Sequence, residues 1–387
     1  MGAVVPPERD LRLDLFRGLA IWLLFLDQLP SAVVSFLASR SYGFSDASEI
    51  IIFVFGYTAG FFYGPMMRER GFVVAGANIL RHAWRVYVVH VFLFVFYIAE
   101  VAYVSRRFDN PLFAEDTNIF EFLHRPDLTL LQGLILNFKP VHMDVLPLYI
   151  LLLVAFVPIL WMLLRAPVLA LAISAALYGS ARAFAWNLPA YPSGEWPLNP
   201  FAWQFLFVLA AWCGLGLPRR FQALIHSRAM LVLAAGYLVL SLAMVMALFF
   251  PRASGYVPMW LADAIYPIDK TNLDVLRFAH FLALAAVTVR FVPRTWPLLQ
   301  SWALYPAILC GQHSLEIFCL GVFLAFAGHF ALVEVSGAIW MQFLISALGI
   351  IIMIGTAALI TWYKRMEGRS PTTRPKQSDA DLAGGEA

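Results

Sequence analysis

Charge is what this chain has least of. Only 13% of its 387 residues are Asp, Glu, Lys or Arg, against 61% hydrophobic, and the mean hydropathy is +0.75. A soluble domain carries about 25% charged residues, so an ordinary water-facing surface is excluded. The net charge of +3 is small and the basic residues are scattered. That excludes the concentrated basic face on which nucleic-acid binding depends. Cysteine is scarce too. Cys213, Cys310 and Cys319 all sit in apolar runs, with no CxxC pair and no Cys/His ligand spacing. Neither a disulfide framework nor a metal site is expected. The first apolar run is followed by no small-residue cleavage site, so it reads as a retained helix and not a signal peptide.

What is present is a series of apolar runs of membrane-crossing length. They fall near 13–37, 49–65, 84–104, 145–164, 167–185, 201–217, 229–250, 277–292, 303–328 and 338–362. The ninth is interrupted by Pro306, Gly311 and Gln312-His313-Ser314. The expected fold is an all-α integral membrane protein of about ten transmembrane helices, a single polytopic domain over 1–369. Residues 370–387, small and polar, read as a disordered cytoplasmic tail. With the N-terminus inside, seventeen Lys and Arg fall in inner loops and ends against nine outside. This bias places both termini in the cytoplasm. Residues 66–84, basic around VVAGANIL, read as a surface-lying inner segment. Leu128–Phe138 reads as a re-entrant or interfacial helix, and Asn187–Pro200 as a rigid outer turn. No internal repeat is visible, which weighs against a secondary transporter.

Polar groups inside these runs are the candidates for function, because a charge at membrane depth costs roughly 2.5 kcal/mol or more. The first run holds Arg17, Asp27 and Gln28. Arg17 and Gln28 are eleven positions apart, close to three whole turns, so they share a face at two depths about 16 Å apart. Arg17 reads either as a snorkelling side chain or as a functional one. On the inner side Arg81, Arg85 and His90 approach one another in RHAWRVYVVH. They suit an anionic, phosphate-bearing donor, although His90 could equally hydrogen-bond a neighbouring helix. On the outer side stand Asp46 and Glu49, spaced as a capping box, with Asp144, Trp203, Gln204, Lys270 and His280. Solvation is the plain alternative for Asp144 and Lys270, and satisfied interior hydrogen bonding for Gln204 and His280. His313, at the break of the ninth run, belongs to a polar stretch of the kind that lines a cavity. Adjacent helical residues point about 100° apart, so His313 and Ser314 are not a nucleophilic dyad.

Six phrases taken together resemble the OpgC family of membrane proteins, linked to succinylation of osmoregulated periplasmic glucans and akin to acyltransferase-3 type transmembrane acyltransferases. They are RDLRLDLFRGLA, YGFSDASEIIIFVFGY, VLPLYILL, NPFAWQFLF, DKTNLDVLRFAHF and GQHSLEIFCLGVFL. They run in the family's order from about Arg9 to the tenth apolar run. The resemblance implies a cytoplasmic acyl donor, succinyl-coenzyme A, and a glycan hydroxyl acceptor on the outer side. It implies a bacterial inner-membrane location. It matches Arg17 to the family's arginine and Asp27 to its aspartate, with Gln28 where relatives carry a histidine. Glutamine takes no proton near neutral pH, whereas histidine does. A Gln/His exchange between Gln28 and His313 on facing helices would preserve the chemistry. The resulting expectation is an O-acyltransferase. Arg17, Arg81, Arg85 and His90 hold the acyl-coenzyme A, and Asp27, Gln28, His280 and His313 are the catalytic set. Glu49, Asp144, Trp203, Gln204 and Lys270 face the acceptor. The alternative is a non-catalytic membrane protein on the same scaffold that binds or conducts a glycan or lipid.

Overall fold

The structure is a computed structural model that describes residues 10–29, 42–249 and 258–367. Residues 30–37 of the first expected span, Arg9, Arg40, Arg252 and Arg369 among the counted loop charges, and the expected tail 370–387 lie outside the described residues. Among the described residues the chain is helical with no β-strand, only an isolated bridge between Pro189 and Glu195. In chain order come α1 (Leu11–Gln28), α2 (Ala47–Arg107), the short α3 (Leu112–Asp116), α4 (Phe120–His124) and α5 (Pro126–Leu134). Then follow α6 (Val145–Arg165), α7 (Pro167–Ala183), α8 (Pro200–Gly214), α9 (Arg219–Ile225) and α10 (Arg228–Phe249). The last are α11 (Met259–Ile265), α12 (Val275–Phe291), α13 (Tyr305–Gln312), α14 (Ser314–Glu334) and α15 (Ile339–Met366). Five of them, α2, α6, α10, α14 and α15, are long and apolar enough to cross a bilayer, and α8 with α9, bent by 111°, would make a sixth.

The segment expected at 66–84 is helical and is part of α2. Its one break is Gly71, whose φ of 79° is left-handed and suits glycine. Phe55 stacks on Tyr149 of α6, and His82 hydrogen-bonds the same tyrosine. In a straight helix Phe55 and His82 would stand about 40 Å apart. The chain therefore folds back at Gly71, and the two legs, 47–70 and 72–107, flank α6.

The ends of the bundle can be told apart. Arg12 at the start of α1 donates to the Val292 carbonyl just past α12, and Arg294 pairs with Asp10. This end is called the base. Arg277 and His280, near the start of α12, meet Glu49 and Ser45 near the start of α2; this end is the top. Thr361, late in α15, bonds His313 beside the Asp14–Gly311 contact. Both ends of the described chain thus lie at the base.

The ninth expected run is not one rod. Along α1, Asp14 meets Gly311 and Gly18 meets Ala307, so α13 runs against α1. Leu29 meets Gly328, so α14 runs with it. The chain reverses at His313. Residues 293–312 leave the base and return to it, a re-entrant excursion. Two glycines permit it, since a Cβ on Gly18 would collide with the Ala307 carbonyl and a Cβ on Gly311 with that of Asp14. Small residues that let backbones touch are how helices pack where lipid removes the hydrophobic drive. The same device joins the first leg of α2 to α8, where Gly56 meets Phe207 and Gly60 meets Ala211.

Gly18→Val should therefore overpack the α1–α13 seam and lower stability by about 1–3 kcal/mol. Gly355→Val on α15, where a Cβ meets nothing within 4 Å, is the comparison. Melting of the two variants in detergent measures this, and equal melting temperatures would refute the seam.

Candidate functional site

At the top, the sequence FSDASE starts α2 with a capping box. Asp46 accepts the Ser48 N–H at 2.8 Å, and Glu49 Oε2 accepts the Asp46 N–H at 2.8 Å. Capping uses only half of each carboxylate. Glu49 Oε1 receives Arg277 Nε at 2.8 Å and lies 2.6 Å from its NH2, which also reaches Asp46 Oδ2 at 3.0 Å. Lys270 Nζ completes the set, 2.8 Å from Asp46 Oδ2. Burial works against the Asp46 anion, but Lys270 and Arg277 outweigh it and hold its carboxyl well below the ordinary range. Glu49 is fully buried and Arg277 nearly so. One turn beyond Arg277, His280 Nδ1 sits 2.7 Å from Ser45 Oγ, both residues buried.

Lys270 is positioned by two interlocking loops. Asn199 at the start of α8 donates to Asn272 Oδ1 at 2.7 Å, and its N–H bonds the Thr271 carbonyl at 3.0 Å. The buried Trp203 indole N–H reaches the Thr271 carbonyl at 3.1 Å and that of Lys270 at 3.3 Å. Asp269 grips Asn272 from within the loop, and Asp274 caps α12. Trp203 thus supports the site from behind. Gln204 is turned elsewhere, bonded to Ser174 Oγ at 2.5 Å and to the Ser174 carbonyl at 2.8 Å, which fastens α8 to α7. Asp144, half-buried at the start of α6, faces Lys270 across the site. Burial raises its carboxyl above the usual range against the pull of that ammonium.

A second polar group lies deeper. Arg17 contacts Asp14 on its own helix and the Thr58 hydroxyl on the first leg of α2. His82 Nε2 meets the Tyr149 hydroxyl at 3.2 Å. The charges of Arg17 and Arg85 both reach His82, and Arg85 also reaches Tyr63. Arg81 is exposed. His90, 1% exposed, packs on Phe94 with neither ring nitrogen hydrogen-bonded, and the charge that reaches it is that of Lys139. It stands apart from the group around Arg17. His82 and Tyr149 were missed in the sequence. The signal available was His82 three places before Arg85, one turn along the same face.

Thr58 is twelve positions after Asp46, about 18 Å down the helix, and Arg17 is about 16 Å below Gln28. Since α1 and this leg run in opposite directions, Gln28 and Asp27 stand at the height of Asp46 and Glu49. Gln28 lines a crevice with Phe25 of α1 and with Phe318 and Val322 of α14. His313 is not opposite it. The break of the ninth run puts His313 at the base, at the other end of α1. There Lys364 Nζ sits 3.2 Å from its Nδ1 and Thr361 Oγ1 2.7 Å from its Nε2. An ammonium only donates, so Nδ1 accepts and Nε2 carries the proton. Thr361 passes its own proton to the Ala357 carbonyl. The His313 lone pair is thus engaged, and a Gln/His exchange between facing helices does not describe this arrangement.

The long apolar helices and the charged groups enclosed among them define an all-helical membrane protein with polar chemistry at two depths. A family model described as OpgC protein matches residues 9–365, nearly the whole chain. The chain belongs to the OpgC family and is in that sense a membrane acyltransferase-like protein. No curated protein and no solved structure matches it.

Arg277 is the arginine whose loss the top should feel most. Arg277→Met leaves Glu49 buried without its cation, a break that costs about 3–5 kcal/mol. The Arg277→Met, Glu49→Leu pair should recover part of the lost melting temperature. A single variant as stable as the wild type would show that the ion pair does not hold α12 to α2.

Proposed function

We propose that the protein is a transmembrane O-acyltransferase of the bacterial inner membrane, transferring a succinyl group from succinyl-coenzyme A in the cytoplasm to hydroxyls of a periplasmic glucan. The observation that carries the reading is the pair of polar groups stacked along α1 and the first leg of α2. The deeper, cationic group of Arg17, His82 and Arg85 suits an anionic acyl donor, because charge-assisted hydrogen bonds are the strong ones. The upper group, with its carboxylates, Lys270 and His280, suits a hydroxyl acceptor. In this reading the base faces the cytoplasm, both termini lie there, and about ten helices cross the bilayer around one domain.

Three measurements bear on this. Glucans from a deletion strain complemented with the wild-type protein should carry acyl groups by mass spectrometry. Arg17→Ala should bind acyl-coenzyme A about tenfold more weakly or worse, as expected for loss of a hydrogen-bonded charge. Unchanged affinity would leave Arg17 a structural role. Reporter fusions after Ala387 and within 187–200 should report opposite sides, and a periplasmic signal from the C-terminal fusion would overturn the topology.

A second reading has one observation in its favour. Gln28 has no proton-accepting group at physiological pH, so the same scaffold would suit a non-catalytic protein that binds or conducts a glycan or lipid. Unmodified glucans together with intact donor binding would favour it.

A further inference from the structure

We propose that His90 and Lys139 together bind the free carboxylate at the far end of the acyl group, and so select an acyl group with an anionic tail over a neutral one. The inference rests on the acyl-transfer reading and names what decides which acyl group is accepted.

The loop between α5 and α6 brings the two residues together. The Tyr87 hydroxyl donates to the Leu134 carbonyl at 2.9 Å, and Phe94 meets Phe138 edge-on with ring centroids 6.1 Å apart. A Cβ on Gly133 would strike the Phe94 ring, so this part of the chain lies directly on the second leg of α2. His90 stands between Tyr87 and Phe94 on that leg, and Lys139 follows Phe138. The charge that reaches His90 is that of Lys139.

Both residues are buried and both are short of partners. Neither ring nitrogen of His90 is hydrogen-bonded. Lys139 Nζ donates to the Leu136 carbonyl at 3.0 Å and less closely to that of Asn137, and lies 3.7 Å from the centre of the Trp196 ring. No carboxylate among the described residues forms an ion pair with it, and Asp144 acts on it only from a distance. Burial pushes its ammonium down to about 7 against that pull. A water molecule would satisfy the imidazole but leave the buried ammonium without a counter-charge. A carboxylate supplies both needs, one oxygen accepting the His90 N–H and the other the remaining proton of Nζ.

Their height suits an acyl tail. His90 is nineteen positions past Gly71, about 28 Å up the second leg, with Arg85 at about 21 Å. Asp46, twenty-five positions before Gly71, stands at about 37 Å on the first leg. His90 thus lies between the deeper arginines and the upper group, the interval that the acyl group crosses in the acyl-transfer reading. The carboxylate is a spectator there, and no bond to it is made or broken.

Selection follows from what a neutral acyl group leaves unpaired. A buried polar group without its partner bears its full desolvation cost, so a site built around such groups rejects the analogue that lacks the partner. An acetyl group offers nothing to His90 or to Lys139.

The test compares transfer to glucan from succinyl-coenzyme A and from acetyl-coenzyme A by purified full-length protein in detergent. The wild type should prefer succinyl. His90→Leu and Lys139→Met should each lower kcat/KM for succinyl-coenzyme A by about tenfold or more and leave that for acetyl-coenzyme A unchanged. Acetyl transfer by the same variant therefore reports its folding. His90→Gln, which keeps a donor, should retain part of the preference. Lys139 also fastens its loop to Trp196, so His90→Leu decides alone if Lys139→Met does not fold. An unchanged preference in His90→Leu, or equal losses for the two acyl groups, would overturn the inference and leave the acyl-transfer reading standing. A higher melting temperature of His90→Leu with the preference unchanged would show that the ring meets water only, and would overturn it as well. A wild type that transfers acetyl as readily as succinyl would also overturn it. No transfer of either group by the wild type would remove the reading and the inference together.

Discussion

One guanidinium shared by two carboxylates holds the upper half of this bundle in register. Arg277 enters from α12, Asp46 and Glu49 from the first turn of α2, and none of the three has much contact with solvent. An isolated charge in such surroundings would be costly. The ion pairs therefore dictate that α12 begins beside α2, and that His280, one turn on, arrives beside Ser45. Lys270 joins the same carboxylate from the loop that leads into α12. The capping box that starts α2 and the site's electrostatics are the same two side chains, so helix initiation and site assembly cannot be separated.

The second constraint is steric. At the base, α1 and α13 touch through glycine, which lets a short helix run against α1 and turn back at His313. That turn determines what His313 can do. Its ring is spanned by Lys364 and Thr361, both from α15, which makes it a joint between three helices. His280 has one nitrogen bonded to Ser45, and the other packs against Gly43. Two histidines of similar appearance in the sequence therefore have different chemistry, decided by how many ring atoms are already bonded.

The residue types and their spacing made much of this legible. Composition gave the membrane class, and hydropathy gave apolar runs that coincide with helices. The capping box at Asp46 and Glu49 and the eleven-residue offset of Arg17 and Gln28 were readable from helix periodicity. Folding back at Gly71 was not, because a lone glycine in an apolar-basic stretch looks the same in a straight helix. Nor was the reversal at His313. A broken apolar run of this length reads as one interrupted span unless the partners of Gly311 are known. Gln204 and Trp203 lie in one phrase, NPFAWQF, yet one fastens α8 to α7 and the other supports the Lys270 loop. Adjacent residues on a helix face different neighbours, and only the packing tells which neighbour each one meets.

The depth of the two polar groups has a mechanistic consequence. Under the proposed transfer, a thioester donor and a sugar acceptor on opposite sides of a membrane cannot meet unless one of them enters the bundle. The deeper group carries Arg17, paired with Asp14, and Arg85, and the charges of both arginines reach His82, while the upper group pairs its carboxylates with Arg277 and Lys270. In the proposed reading an anionic donor reaching up from the base would meet Arg17 and Arg85 before it reached the top. The wall between the groups includes Tyr149, in ring contact with Phe55 and with Phe207. Low polarity strengthens each remaining electrostatic contact. In the proposed reading it would also shield a thioester from hydrolysis until a hydroxyl arrived at the top. In the proposed reading, separation of the charges into two layers is thus itself part of how the scaffold would serve transfer across a bilayer.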